Sequence, residues 1–266
     1  KAPDGTLIDP YGGQKDLTNQ LLRHVSDAFA EDPLRILRLA QFQARLKGLG
    51  FTVHDQTTQL CREMVDRGDL GTLSRERVFK ELEKALGASH PSEFFAVLAS
   101  VNALARIFQG VQLATTKNLD GPARDTSAEL RFSRLVLENP ALDLQDLNKR
   151  LAIPKHWLEL ADLTRTWAPT FCQVTTLSAD AILNALERGD ARRKPMRFAQ
   201  SVQVSCQSLI METADQAQIV ERWQRLVQQT AKVTLPETAS GLSGQDIKAM
   251  IRAEQLRRIE ATCDWR

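Results

Sequence analysis

The stretch Glu31-Asp32-Pro33-Leu34-Arg35-Ile36-Leu37-Arg38 carries the residue types best suited to chemistry. Pro33 suits the first position of a helix, because its missing N–H would be unpaired there anyway, and this makes Asp32 the expected N-cap. Asp32 and Arg35, three apart, then project from the same side of the first turn. A carboxylate acceptor and a forked donor stand side by side. The pair also has a plain structural reading, since acids at a helix start satisfy N–H groups and complement the dipole.

The elements that position this turn are helical. Thirteen Gly and ten Pro in 266 residues, few β-branched runs and apolar residues at three- and four-residue spacing predict an all-α protein. Leu34, Leu37, Phe42 and Leu46 would form the buried face of the first helix, which stops at Gly48 or Gly50. Further helices are expected over residues 55–67, 74–86 and 91–108, with Gly68 and Gly87 as stops. Residues 109–125 read as a polar connection. Helices then follow over 127–137, 144–151, 155–167, 178–188, 194–211, 214–233 and 243–260. The exception is Thr6-Leu7-Ile8, which reads as a remnant strand ended by the turn Asp9-Pro10-Tyr11-Gly12-Gly13.

Composition narrows the function classes. The net charge is only +2, so a nucleic-acid footprint must come from local clusters. Cys61, Cys172, Cys206 and Cys263 never form a CxxC pair, which argues against a zinc ribbon or a disulfide scaffold and fits a reducing cytoplasm. No apolar run approaches the roughly 18 residues of a membrane span. Residue 1 is Lys and the first Met is Met64, so the chain is expected to begin inside a longer product.

The run Ile8-Asp9-Pro10, Gly12, Asp16-Leu17, then Leu22-Arg23-His24-Val25, the acidic–arginine stretch and Gly50-Phe51 resembles the bacterial CCA-adding tRNA nucleotidyltransferases of the class II nucleotidyltransferase and poly(A) polymerase superfamily. Leu73-Ser74, Glu76-Arg77-Val78 and Glu81-Leu82 continue the resemblance, as do Pro91, Phe94-Phe95 and Val97-Leu98. From Leu130 onward it is looser.

The resemblance implies four regions: residues 1–28 as the end of a catalytic head and hinge, 29–112 as a helical neck with the base-recognition motif, 113–190 as a body and 191–266 as a tRNA-binding tail. It implies that Glu31, Asp32 and Arg35 read the Watson–Crick edge of the incoming nucleotide, with Glu31 holding Arg35 in plane and Arg38 steadying the site or approaching phosphates. One carboxylate plus one guanidinium can pair with cytosine or adenine, because each offers an amino donor beside a ring-nitrogen acceptor. Asp9, Gly12 and Asp16 match the hinge, and Arg77 and Glu81 match a motif expected to form an ion pair bracing the neck.

In this family two carboxylates hold Mg²⁺, which activates the tRNA 3′-hydroxyl and neutralises the triphosphate of CTP or ATP. This chain has no Asp-x-Asp, and Glu81-Leu82-Glu83 would diverge on a helix, so no catalytic or metal residue is assigned and the head is expected upstream in the same polypeptide. His54-Asp55 reads as a turn with Asp55 as N-cap and not as a phosphohydrolase site. Two basic clusters, Arg192, Arg193, Lys194 and Arg197, then Arg252, Arg257 and Arg258, are expected to contact tRNA phosphates, against a solvated helix face as the plain alternative. Trp157, Trp167, Trp223 and Trp265 read as packing anchors. Two alternatives to CCA addition remain open at this point: a bacterial poly(A) polymerase, or a non-catalytic helical RNA-binding module. Incubated with Mg²⁺, CTP, ATP and tRNA lacking its 3′ CCA, the chain alone is expected to add no nucleotide above a no-protein control.

Overall fold

The structure is a computed structural model that describes residues 7–122, 126–209, 212–231, 233 and 243–263. Its internal contacts divide the chain into two units, Lys1–Lys155 and His156–Arg266. This division is coarser than the expected four regions.

The first unit opens with a short helix α1 (Gly13–Thr18) and a two-residue strand β1 (Leu21–Leu22), followed by a 3-10 turn over Asp27–Glu31. Next come α2 (Leu34–Leu46), strand β2 (Thr52–Val53), α3 (Asp55–Asp66), α4 (Arg75–Leu86) and α5 (Pro91–Ser100). The short helices α6 (Leu104–Ile107) and α7 (Leu113–Thr116) lead to α8 (Ala128–Glu138) and α9 (Leu144–Leu151). The expected strand at residues 6–8 does not form where it is described: Leu7 and Ile8 are exposed irregular chain, and Thr6 lies outside the described residues. Instead β1 and β2 pair in parallel, Leu21 opposite Thr52 and Leu22 opposite Val53, with α2 as the crossover between them.

Helix α2 is the centre of this unit. It packs chiefly on α5 and α4, burying Leu34, Ile36, Leu37, Leu39, Ala40 and Ala44. Fully burying each of its larger aliphatic side chains contributes about 1.5–3 kcal/mol. Phe42, expected on the buried face, is 43% exposed, because it lies on the side of α2 turned away from that core. Phe94, Phe95 and Phe108 stack edge to face at 5.3–5.9 Å and fill the space beside α5. The helix expected over 91–108 is broken. Asn102 adopts φ +62°, and the Ala103 amide donates to the Leu98 carbonyl at 2.8 Å, a left-handed closure that ends α5.

The second unit holds α10 (Lys155–Cys172), α11 (Ala179–Arg188), α12 (Pro195–Leu209), α13 (Thr213–Ala231) and α14 (Gly244–Thr262). Their core centres on Phe171, Phe198 and Trp223, whose rings meet edge to face at 5.2–5.5 Å. The buried indole N–H of Trp223 donates to the Phe171 carbonyl at 2.8 Å, so the anchor carries no unpaired donor. Trp157 is also buried, Trp167 is half-buried and Trp265 lies outside the described residues. No disulfide forms among the described residues, and none of their helices is long and apolar enough to cross a membrane.

Arg131 on α8 shows how the first unit is tied together. Its buried guanidinium donates to the carbonyls of Leu86 (2.7 Å), Ala88, Gly121 (2.8 Å) and Pro122 (3.2 Å), joining α8 to the end of α4 and to the 121–122 loop. Arg131→Met is expected to leave these carbonyls short of donors and to cost about 2–4 kcal/mol, read as a lowered Tm and urea midpoint.

Candidate functional site

The residues expected to form the hinge lie at and within the first short helix. Asp9 accepts from the Gly13 and Gln14 amides, each at 2.8 Å, and these two bonds hold its carboxyl below the usual carboxylate range. Gly12 sits between them at φ +72°, a left-handed conformation that disfavours a side chain. Asp16 pairs with Arg23 at 3.2 Å, bridging α1 to the chain just after β1.

The acidic–arginine turn follows. Asp32 has extended backbone, its carbonyl accepts from the Arg35 amide at 3.0 Å, and its Oδ1 accepts from the Leu34 amide at 3.1 Å. Its carboxylate thus satisfies the first amide of α2, but the N-cap position is Pro33 and not the expected Asp32. Its second oxygen, Oδ2, accepts from Arg77 Nη2 at 2.7 Å, across 45 residues of sequence. Partial burial resists ionisation of Asp32, but the Leu34 amide and the Arg77 and Arg38 guanidinium groups outweigh it and hold its carboxyl below the ordinary range.

Three expected pairings differ. Arg77 does not pair with Glu81. Glu81 is buried and bonds to Lys84 at 2.8 Å, with Arg38 at 3.9 Å, while Arg77 lies at the surface of α4 within reach of Asp32. Glu31 does not hold Arg35, which instead donates through Nη1 to the Ala28 carbonyl in the 3-10 turn. His54, not Asp55, is the N-cap of α3, its Nδ1 accepting from the Gln56 amide at 3.2 Å.

Beside this turn lies a cleft of about 910 Å³. Its walls include Leu17, Leu21, Phe29, Leu39, Phe42 and Phe51, and Arg35, Arg38, Asp16, Arg23 and His24 supply polar groups. Arg35 and Arg38 thus face the cleft, whereas Asp32 and Glu31 stand on the turn next to it. The exposure of Phe42 is explained by this wall. An apolar slot with a few placed donors and acceptors suits a flat heteroaromatic ligand with a charged tail. Sequence reasoning missed the roles of Arg23 as partner of Asp16 and of Arg77 as partner of Asp32, because neither contact follows a helical spacing.

In the second unit every cation assigned to RNA has a carboxylate partner. Arg192 lies 3.9 Å from Glu187, Arg193 2.7 Å from Asp190, Lys194 2.7 Å from Glu159 and Arg197 2.8 Å from Glu159. Arg252 pairs with Asp180 at 2.9 Å, and Arg257 and Arg258 both pair with Glu254, at 2.8 and 2.7 Å. Arg257 and then Arg258 pull the Glu254 carboxyl down to about 2, and Lys194 and Arg197 likewise lower Glu159.

Comparison with known proteins adds an independent line. A family model described as the probable RNA and SrmB-binding site of polymerase A matches residues 50–114. A multifunctional CCA protein of Pseudomonas putida is 35% identical over 264 residues, covering 97% of this chain and 71% of the relative. A CCA-adding enzyme of Coxiella burnetii is 33% identical, covering 98% of this chain and 68% of the relative. Among solved structures, the Thermotoga maritima CCA-adding enzyme complexed with tRNA(CCA) matches with a TM-score of 0.62 at 16% identity, over 96% of this chain and 63% of that one. A CCA-adding enzyme complexed with ATP matches with a TM-score of 0.64 at 16% identity, over 95% of this chain and 62% of that one. The chain therefore spans 62–63% of these solved chains, and the similarity to them is one of fold. On the identity and coverage of the curated relatives, the chain belongs to the CCA-adding enzyme family.

Proposed function

We propose that this region selects CTP and ATP for the addition of CCA to tRNA 3′ ends in the cytoplasm, and that it holds the acceptor end of the tRNA. The observation that carries this reading is an ionised Asp32, fixed by the Leu34 amide and Arg77, standing one turn from an Arg35 that lines an apolar cleft. Each carboxylate oxygen has two acceptor sites, so both oxygens of Asp32 keep capacity for an exocyclic amino group. Arg35 uses Nη1 on the Ala28 carbonyl and retains other N–H groups for N3 of cytosine or N1 of adenine. Uracil and guanine would set a carbonyl against the Asp32 carboxylate, two acceptors facing each other. Asp9, Gly12 and Asp16 serve as the hinge, and Arg38, held near Glu81, is placed to approach phosphate.

Mg²⁺ would supply activation of the 3′-hydroxyl. Among the described residues no three His, Cys, Asp or Glu side chains converge, so none of them is given that role and no step is assigned to the metal here. The head that would bind it is proposed to lie upstream in the same polypeptide. The description of the matched family model favours poly(A) polymerase as a second reading. Dependence of the product on CTP separates the two.

In the full-length protein, Asp32→Ala is expected to lower kcat/KM for CTP and ATP by about 10- to 100-fold while changing UTP and GTP much less, so that selectivity narrows. A cap lost without a template role would instead depress all four nucleotides equally, in step with Tm. Measuring all four values beside Tm decides between them.

The paired cations give a second expectation. Glu159→Gln removes the carboxylate shared by Lys194 and Arg197, so tRNA is expected to bind more tightly, with the salt slope steepening by roughly one for each cation that gains a phosphate. Reversing Arg192, Arg193 and Lys194 to Glu is expected to weaken binding and flatten the slope. An unchanged slope in both experiments would return the cluster to an internally neutralised helix face.

A further inference from the structure

Base reading by Asp32 and Arg35 and the Asp16–Arg23 pair leave His24 without a task, yet it is held with more care than a linker requires. Strand β1 ends at Leu22, whose carbonyl accepts from the His54 amide at 3.0 Å and so pins this chain beside the start of α3. The next residue but one, His24, is half-buried and lines the cleft together with Arg35 and Arg38. Its ring tilts against Phe29 at 5.9 Å.

Thr57 then determines which ring nitrogen carries the proton. The Thr57 hydroxyl oxygen accepts from the His24 backbone amide at 3.0 Å and lies 2.8 Å from His24 Nδ1. Thr57 is fully buried, so its single hydroxyl proton needs an acceptor, and among the described residues the one within reach is Nδ1. With Nδ1 accepting, the proton of the neutral ring sits on Nε2. Nε2–H has no protein acceptor among the described residues, in a side chain that lines a cleft.

We propose that His24 is a nucleotide-binding residue whose Nε2–H donates to an acceptor atom of the bound CTP or ATP, with Thr57 as the positioning residue that sets its tautomer. This inference rests on the cleft being the nucleotide site. Cytosine O2 and adenine N3 are acceptors on the same edge of the two bases, and phosphate oxygens are acceptors as well.

The test uses the full-length protein and steady-state addition of CTP and ATP. His24→Asn retains an acceptor for Thr57 and deletes the donor at the Nε2 position; it is expected to raise KM for both nucleotides by about 3- to 10-fold, with a smaller change in kcat. His24→Gln can return an N–H to that position and is expected to recover much of the loss. Thr57→Val, which keeps volume and removes the hydroxyl, is expected to raise KM by an intermediate amount. Cytidine as a competitive inhibitor locates the acceptor: weaker inhibition of His24→Asn places it on the nucleoside, and unchanged inhibition beside a raised KM for CTP places it on the phosphates. Unchanged KM in His24→Asn, or equal losses in Asn and Gln variants that track Tm, would overturn the inference. Asp32→Ala in the same assay keeps the failures apart. Narrowed selectivity there with an unchanged His24→Asn sinks the histidine role alone, whereas uniform loss there sinks the nucleotide site itself.

Discussion

The ion pair between Asp32 and Arg77 is the contact on which the candidate site depends. Asp32 stands two residues ahead of α2 and Arg77 belongs to the first turns of α4, so one 2.7 Å contact fixes the entry to one core helix against the flank of another. A half-exposed pair of this kind adds little to stability by itself. Its value is geometric. With Oδ1 on the Leu34 amide and Oδ2 on Arg77, the carboxylate plane has little freedom to rotate, which is what the proposed reading of base edges requires.

That fixity is inherited from the core beneath. The buried face of α2 seats on α5 and α4, which sets the first turn of α2 relative to Arg77 before any ligand arrives. The other side of α2 supplies Arg35, Arg38, Phe42 and Leu46 to the cleft. One helix therefore has a packed face that holds position and an open face that offers donors and an apolar wall. The parallel β1–β2 pair brings the chain carrying Arg23 and His24 to the far wall, and Thr57 in α3 closes the connection.

Much of the fold was legible because helix ends announce themselves locally. Asp143, Ser127, Ser178 and Ser243 each cap a helix with the side-chain bond their type predicts. Asn102 and Asp190 were harder to foresee, because a left-handed residue other than glycine is chosen by the packing after it. Among the candidate site residues, spacing and resemblance singled out Asp32 and Arg35, but neither showed their partners. Arg77 and Glu81 stand four apart on one helix, an arrangement that favours pairing, yet burial carries Glu81 toward Lys84 and Arg38 while Arg77 reaches a residue 45 positions away. The basic clusters were visible as runs of cations. The acids that neutralise them come partly from other helices, Glu159 on α10 and Asp180 on α11, and no local pattern shows that.

The central claim, that Arg77 orients Asp32 to read the base, is tested most directly by a double-mutant cycle on CTP-over-UTP selectivity in the full-length protein. Arg77→Met is expected to lower that selectivity several-fold when Asp32 is present and to have no further effect in an Asp32→Asn background, because its influence passes through the carboxylate. Equal losses in both backgrounds would contradict the claim and leave the pair a structural contact only.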